Sequence, residues 1–309
     1  MVSMMNTLEQ GSLPNTCQYI AKSNRGDYLV QISWPLSWSV DRIPATDDTP
    51  VSYVYLVDGN AYFFTAADIA RRLDFTNNAK TIVVGVGYPP PYPYVYDLQR
   101  RGPDLTPPSV DGQYQPLLNS KGEAIPGLTW GEADQFLDII QTDVMSFVEE
   151  KLFAHVSSSD VSIRKALFGH SYGGLFSLNS LYTKPALFDT IIAASPTVWW
   201  NDFSIVNYQE KQFRGRPPVA EGGQKPSLIL TWGSSETEFP AKENSRDALH
   251  KGNCDPEEEE MEDSMAGLIS RLEACGHLHT ILTWKFPGED HGSAAVTGLQ
   301  RSLFQFLLG

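Results

Sequence analysis

The stretch Ala166-Leu167-Phe168-Gly169-His170-Ser171-Tyr172-Gly173-Gly174-Leu175-Phe176 decides how this chain is read. A serine flanked by glycines two positions away on each side suits one local geometry. Set on a very sharp strand-to-helix turn, the serine has its hydroxyl thrust out of the sheet and its backbone angles strained. Neighbouring side chains would collide across such a turn, so glycine stands at both close-approach positions. The flanks supply the required setting. Residues 164–168 read as a short strand entering a buried position, and 174–181 carry apolar residues at helical spacing without proline. A glycine-rich turn bearing a solvated serine is the competing reading, and the strand–elbow–helix context weighs against it.

Outward from the elbow, continuous apolar runs at 28–33, 51–57, 81–86, 190–194, 227–232 and 279–286 predict strands. Such runs imply a sheet covered on both faces. Helical patterning is clearest over 131–153, where Phe136, Ile140, Val144, Phe147 and Val148 share a stripe, and recurs at 264–274 and from 293 onward. Strands alternating with helices predict an α/β chain built on a mostly parallel, doubly wound sheet with helices on both faces. Two segments break the alternation. Residues 88–129 form a long Pro/Tyr-rich insertion beginning Tyr88-Pro89-Pro90-Pro91-Tyr92-Pro93-Tyr94, and 199–226 is the other. Loops of this length inside a domain are usually functional or disordered, and the first is too aromatic for simple disorder. No repeat or domain boundary is visible. The expectation is one domain over 1–309, with 1–26 less regular.

Composition narrows the partners. The chain has 309 residues, 41% of them hydrophobic, which suffices for a real core, and a formal net charge of −14. That charge argues against nucleic acid and anionic membrane surfaces. Much of it lies in the 255–263 run, read as a solvated loop or helix start. Cys17, Cys254 and Cys275 are odd in number and lack metal-ligand spacing, which favours reduced thiols. With no signal-peptide pattern at 1–7 and no stretch of 18 apolar residues, the expected location is cytoplasmic.

A serine hydroxyl needs a base, and the base needs an orienting group. On a nucleophile elbow of the α/β-hydrolase kind the chain order is serine, acid, histidine. Among six histidines, His291 in Pro287-Gly288-Glu289-Asp290-His291-Gly292 is the candidate base, since it sits on the loop directly after the last strand. His170 lies inside the elbow and points the wrong way; His155 and His250 fall in helix-end or loop positions; His277 and His279 border a strand as structural residues. The acid is sought after strand 227–232, in Gly233-Ser234-Ser235-Glu236-Thr237-Glu238. Glu236 is the first choice, Glu238 the second and Asp247 a distant third. The oxyanion needs two preorganised backbone donors. The N–H of Tyr172 is one, and the N–H of Asn60 in Leu56-Val57-Asp58-Gly59-Asn60 is the other, with a plain Asp-Gly turn as its alternative. No metal or cofactor is required.

With these pieces assembled, the chain resembles the enterochelin-esterase-like branch of the esterase D superfamily of α/β-hydrolases. The resemblance rests on residues 55–60, the elbow with Gly174, Ala194-Ser195-Pro196, Gly233-Ser234-Ser235-Glu236, the 287–292 loop and Arg101-Gly102-Pro103-Asp104-Leu105-Thr106-Pro107. It implies a serine esterase whose fungal relatives open the ester bonds of fusarinine-type hydroxamate siderophores, with a ferric siderophore as the small-molecule partner. The Pro/Tyr-rich insertion and Trp199-Trp200-Asn201-Asp202 make the sequence look fungal. A bulky iron complex calls for a wide aromatic cup, for which Tyr88, Tyr92, Tyr94, Tyr96, Trp199 and Trp200 are candidates. Arg101, with Arg100 the weaker choice, is expected to face substrate oxygens. The rivals are a general carboxylesterase or acyl-thioester hydrolase for small acyl groups, and a fold kept for binding alone.

Overall fold

The computed structural model describes residues 13–44, 49–90, 95–117, 121–217, 219–220, 223–236 and 257–309. Eight strands form one sheet in the order β1-β2-β4-β3-β5-β6-β7-β8. They are β1 (Thr16–Ala21), β2 (Tyr28–Ser33), β3 (Val51–Val57), β4 (Lys80–Gly87), β5 (Ile163–His170), β6 (Thr190–Ala194), β7 (Ser227–Gly233) and β8 (Ile281–Phe286). β1, β2 and β4 run antiparallel to one another in turn, and every pairing from β4 through β8 is parallel. The mostly parallel, doubly wound reading is what the structure has. The N-terminal expectation is corrected: residues 16–21, placed in a less regular segment, add an edge strand paired with β2 in full register.

Nine helical segments other than π-helical turns are described: α1 (Gly59–Asn77), α2 (Leu98–Leu105), α3 (Ala133–Ile139), α4 (Ala154–Ser157), α5 (Tyr172–Thr183), α6 (Trp200–Ser204, whose Asn201, Asp202 and Phe203 are left-handed), α7 (Lys211–Arg214), α8 (Glu257–Cys275) and α9 (Ser293–Leu308). The helical stripe expected at 131–153 is α3 continued by π-helical turns at Ile140–Met145 and Val148–Leu152. α1 follows β3 directly at the Asp58-Gly59-Asn60 turn, and the sequence reading does not assign it. α2 lies inside the insertion, where Pro103 and Gly102 argue against a helix; Asp97 caps it by accepting from the N–H groups of Gln99 and Arg100.

Alternation along β3 divides the core. Val54 and Leu56 join Phe63, Leu73, Leu299 and Phe306 beneath α1 and α9. Tyr53, Tyr55 and Val57 face the opposite layer, with Phe136, Val144, Leu175, Phe176 and Leu268. Both faces of the sheet are therefore covered, which is why its strands read as unbroken apolar runs. The parallel strands end together at one edge, and that edge carries the elbow and both candidate loops. In open α/β sheets, crevices outside the carboxyl ends of the strands are where ligands bind.

Candidate active site

Ser171 stands between the last residue of β5 and the first of α5, at φ 60° and ψ −120°. A non-glycine residue held there carries strain on the order of 1–3 kcal/mol, which its surroundings must over-determine. They do so through the backbone. The Ser171 N–H donates to Ala194 O at 3.0 Å, while Ser171 O accepts from Leu175 N at 2.9 Å and Thr197 N at 3.3 Å. A Cβ on Gly169 would lie 2.0 Å from Gly173 O, so the first glycine of the pattern leaves room for the return of the second. Ser171 Oγ has the Thr197 hydroxyl 3.4 Å away.

Glu236 and His291 are brought together by adjacent parallel strands. The loops after β7 and β8 are stitched by Ser234 N to Phe286 O at 2.9 Å, Ser235 N to Glu289 O at 3.0 Å, and Gly288 N to Ser234 Oγ at 2.9 Å. Across this seam His291 Nδ1 sits 3.0 Å from Glu236 Oε2. The Glu236 carboxylate is buried, and its Oε1 accepts from Ser195 Oγ at 2.6 Å and from Gly233 N. With Nδ1–H donating to Glu236, the lone pair of His291 falls on Nε2, the nitrogen a general base uses. The His291 loop is also held to the elbow itself, since His170 Nε2 lies 2.7 Å from the His291 carbonyl oxygen. Glu238, Asp247 and His250 lie outside the described residues. His277 is buried against Phe213, and His155 packs on Trp38 and Phe153, both remote from this seam.

Asn60 and Tyr172 occupy the first turns of α1 and α5, where backbone N–H groups have no intrahelical acceptor. Helix N-termini are suited to developing negative charge for that reason. The two turns touch: a Cβ on Gly173 would meet Val57 Cγ2 at 3.0 Å and Asp58 Oδ2 at 3.4 Å. Asp58 adopts a left-handed φ of 53°, and the Asn60 side chain clamps the end of β4, accepting from Tyr88 N at 2.7 Å and donating to Tyr88 O at 2.9 Å.

The structure buries two members of the expected substrate-binding set, Arg101 and Trp200. Arg101 does not face open space. It is buried, with Nε 2.9 Å from Asp58 Oδ1 and Nη2 3.0 Å from Asp58 Oδ2. Its guanidinium lies 4.8 Å from the Tyr96 ring and 5.5 Å from the Tyr172 ring. Burial disfavours that charge, but Asp58 offsets it and raises the pKa of Arg101 above its ordinary value. Trp200 is likewise core, packed 5.8 Å from Tyr114 and 6.1 Å from Trp130, and Trp130 in turn lies 5.9 Å from Tyr172. Tyr88 is buried under Arg100 and Asn60. Trp199 is half-buried, and Tyr92 and Tyr94 lie outside the described residues. Sequence reasoning gave no role to Asp58, Tyr62, Thr197 or His170. Only contacts between distant elements reveal those.

The family described as "Putative esterase" matches residues 114–254. The siderophore triacetylfusarinine C esterase of Aspergillus fumigatus is 36% identical over 298 residues, covering 95% of this chain and 94% of its own. The siderophore enterobactin esterase of Emericella nidulans is 37% identical over 294 residues, covering 93% and 91%. This chain belongs to the siderophore esterase family of α/β-hydrolases. Among solved structures, the siderophore hydrolase EstA of Aspergillus nidulans superposes with a TM-score of 0.81 at 33% identity, covering 99% of this chain and 98% of its own. Members of the family are hydrolases of ester bonds, and so is this one. Among the described residues no group of three or more His, Cys, Asp or Glu side chains is placed to hold a metal ion, and no helix is long and apolar enough to cross a membrane.

Proposed function

We propose that the chain is a serine esterase that opens the ester bonds of hydroxamate siderophores of the fusarinine type, inside a fungal cell, using Ser171, His291 and Glu236. The observation that carries the chemistry is the bracket on His291. Its Nδ1 lies on Glu236, and its backbone is bonded to the residue preceding Ser171. The likeness across nearly the whole chain to a triacetylfusarinine C esterase supports the substrate class.

In this reading Ser171 Oγ attacks the ester carbonyl while His291 Nε2 takes its proton. The tetrahedral oxyanion accepts hydrogen bonds from the N–H groups of Asn60 and Tyr172. Collapse expels the alcohol, which takes the proton back from His291, and leaves an acyl group on Ser171. Water, deprotonated by His291, then releases the acid and restores the serine. Glu236 stays ionised throughout and stabilises the imidazolium, held in place by Ser195 and Gly233. Iron is cargo here. A cyclic tri-ester keeps three chelating arms at high effective concentration, and cutting the ring forfeits that advantage. We read 1–309 as one catalytic domain.

Mass spectrometry of products from ferric triacetylfusarinine C, incubated with wild type and with Ser171→Ala, tests the reading. Ring-opened or monomeric acid from wild type alone is the expected result. Turnover of a short nitrophenyl ester without any cleavage of the siderophore would move the assignment to a general carboxylesterase. Undiminished cleavage by Ser171→Ala would remove the nucleophile.

A further inference from the structure

His170 is buried at the end of β5, next to Ser171, and the reaction described above does not use it. Both of its ring nitrogens are engaged. Nε2 lies 2.7 Å from the His291 carbonyl oxygen, and Nδ1 lies 2.9 Å from the Tyr62 hydroxyl. The Tyr62 hydroxyl is in turn 2.6 Å from that of Tyr96. A carbonyl oxygen only accepts, so Nε2 carries the proton and Nδ1 the lone pair. It follows that Tyr62 donates to His170 Nδ1 and accepts from Tyr96. One carbonyl thus fixes the direction of every bond in a chain that crosses from the insertion, through α1, to the His291 loop.

We infer that His170, as its neutral Nε2–H tautomer fixed by Tyr62 and Tyr96, is a positioning residue that anchors the backbone of His291. The inference rests on the roles proposed above for Ser171 and His291. The physical need is clear. Glu236 holds the His291 ring through Nδ1, and that bond does not by itself fix the backbone that carries the ring. A tether on the backbone carbonyl holds the loop from which the ring projects, and so helps fix where Nε2 points. The rings of His170 and His291 lie 4.7 Å apart, so a charged His170 would repel the imidazolium that forms at His291 during turnover. Burial, and secondarily the neighbouring His291, push the pKa of His170 down to about 3, which keeps it neutral. Misplacing a catalytic group by an ångström costs up to about 10²-fold in rate, so the tether is worth building.

The test uses the full chain and steady-state hydrolysis of a nitrophenyl ester and the ferric siderophore. His170→Gln replaces the ring with a carboxamide that can donate from nearly the Nε2 position; His170→Met keeps the bulk without a donor. Expected are a kcat within about threefold of wild type for His170→Gln and a loss of about 30-fold for His170→Met, with KM unchanged in both. Equal kcat in His170→Met and wild type overturns the inference, as does an equal loss in both variants. Should His170→Met fail to fold, Tyr62→Phe and nitrogen-15 NMR of wild type decide. Supporting results are a proton on His170 Nε2 in wild type and a several-fold fall in kcat for Tyr62→Phe. A proton on Nδ1, or an unchanged kcat, overturns it. Ser171→Ala and His291→Ala run alongside: activity in either at the wild-type rate fells the site assignment itself, and is distinguishable because the His170 variants leave both residues in place.

Discussion

Arg101 and Asp58 form a buried, two-bond ion pair that joins α2 of the insertion to the turn between β3 and α1. The same guanidinium lies over the ring of Tyr172, the residue whose N–H is the other proposed oxyanion donor. One side chain therefore touches both turns that must hold their donors at a fixed separation. The planar fork of arginine matches the carboxylate at two points, and lysine cannot reproduce that.

Asp58→Asn tests the pair cleanly, because asparagine tolerates the left-handed backbone that Asp58 adopts. Loss of one partner leaves a buried guanidinium uncompensated and should cost about 3–5 kcal/mol of stability. Urea denaturation should show it, and kcat/KM should fall by about tenfold as the turn loosens. Combining Asp58→Asn with Arg101→Met should cost less stability than the two single changes added, since no lone charge stays buried. Strict additivity would mean that the pair does not couple.

Glu236 is a different case, because its carboxylate orients rather than bridges. Glu236→Gln removes the acceptor that specifies the tautomer of His291, and kcat should fall by about 10²- to 10⁴-fold with KM little altered. Ser195→Ala leaves the carboxylate but deletes the 2.6 Å bond that aims it. Its expected effect is smaller, about tenfold in kcat and roughly 1–2 kcal/mol in stability. If Ser195→Ala were as damaging as Glu236→Gln, the serine would need a direct part in the reaction.

The depressed pKa of His170 makes stability depend on pH. The unfolded chain binds a proton at this residue below about 6.5, whereas the folded protein resists it down to about 3. Between those values the unfolded state holds more protons, so stability rises with pH there. The contribution is complete above about pH 6.5 and is lost as pH falls, at up to about 1.4 kcal/mol per pH unit. Asp104, whose pKa burial raises despite Arg25, works in the opposite direction at the acid end. Urea midpoints at pH 5 and pH 7 should therefore differ less in His170→Gln than in wild type. An identical difference in the two proteins would rule out titration of His170.

The elbow, six of the seven strands that follow the N-terminal edge and the His291 loop were legible because each is local. A glycine pattern, an apolar run or a loop after a strand carries its own signal. The seventh, β5, was legible as the strand entering the elbow. β1 was not, since Thr16–Ala21 alternates only partly and gains its pairing from β2. Glu236 could be proposed from its loop, yet its selection depends on Ser195, just after β6, and on the seam between the loops after β7 and β8, which no single stretch encodes. The pairing of Arg101 was not legible for the same reason. Its partner Asp58 lies 43 residues earlier, and an arginine in a proline-rich loop reads as exposed until that contact is seen.

Trp199 and Trp200 are neighbours in sequence with opposite environments, and the last prediction turns on that difference. Trp200 is buried in a cluster of tilted rings with Tyr114 and Trp130, ahead of three consecutive residues, Asn201, Asp202 and Phe203, in left-handed conformation. Removing its ring opens a cavity, so Trp200→Ala should cost about 3–5 kcal/mol. Trp199 is partly exposed, and in the proposed reading it is the member of the pair offered to the substrate. If Trp199 serves the bulky siderophore, Trp199→Ala should raise KM for a ferric siderophore several-fold while costing less stability than Trp200→Ala and leaving KM for a short nitrophenyl ester alone. A rise in KM for both substrates would place Trp199 against the reacting ester. A fall in stability matching that of Trp200→Ala would make it a second core residue, and the aromatic cup would have to be sought elsewhere in the insertion.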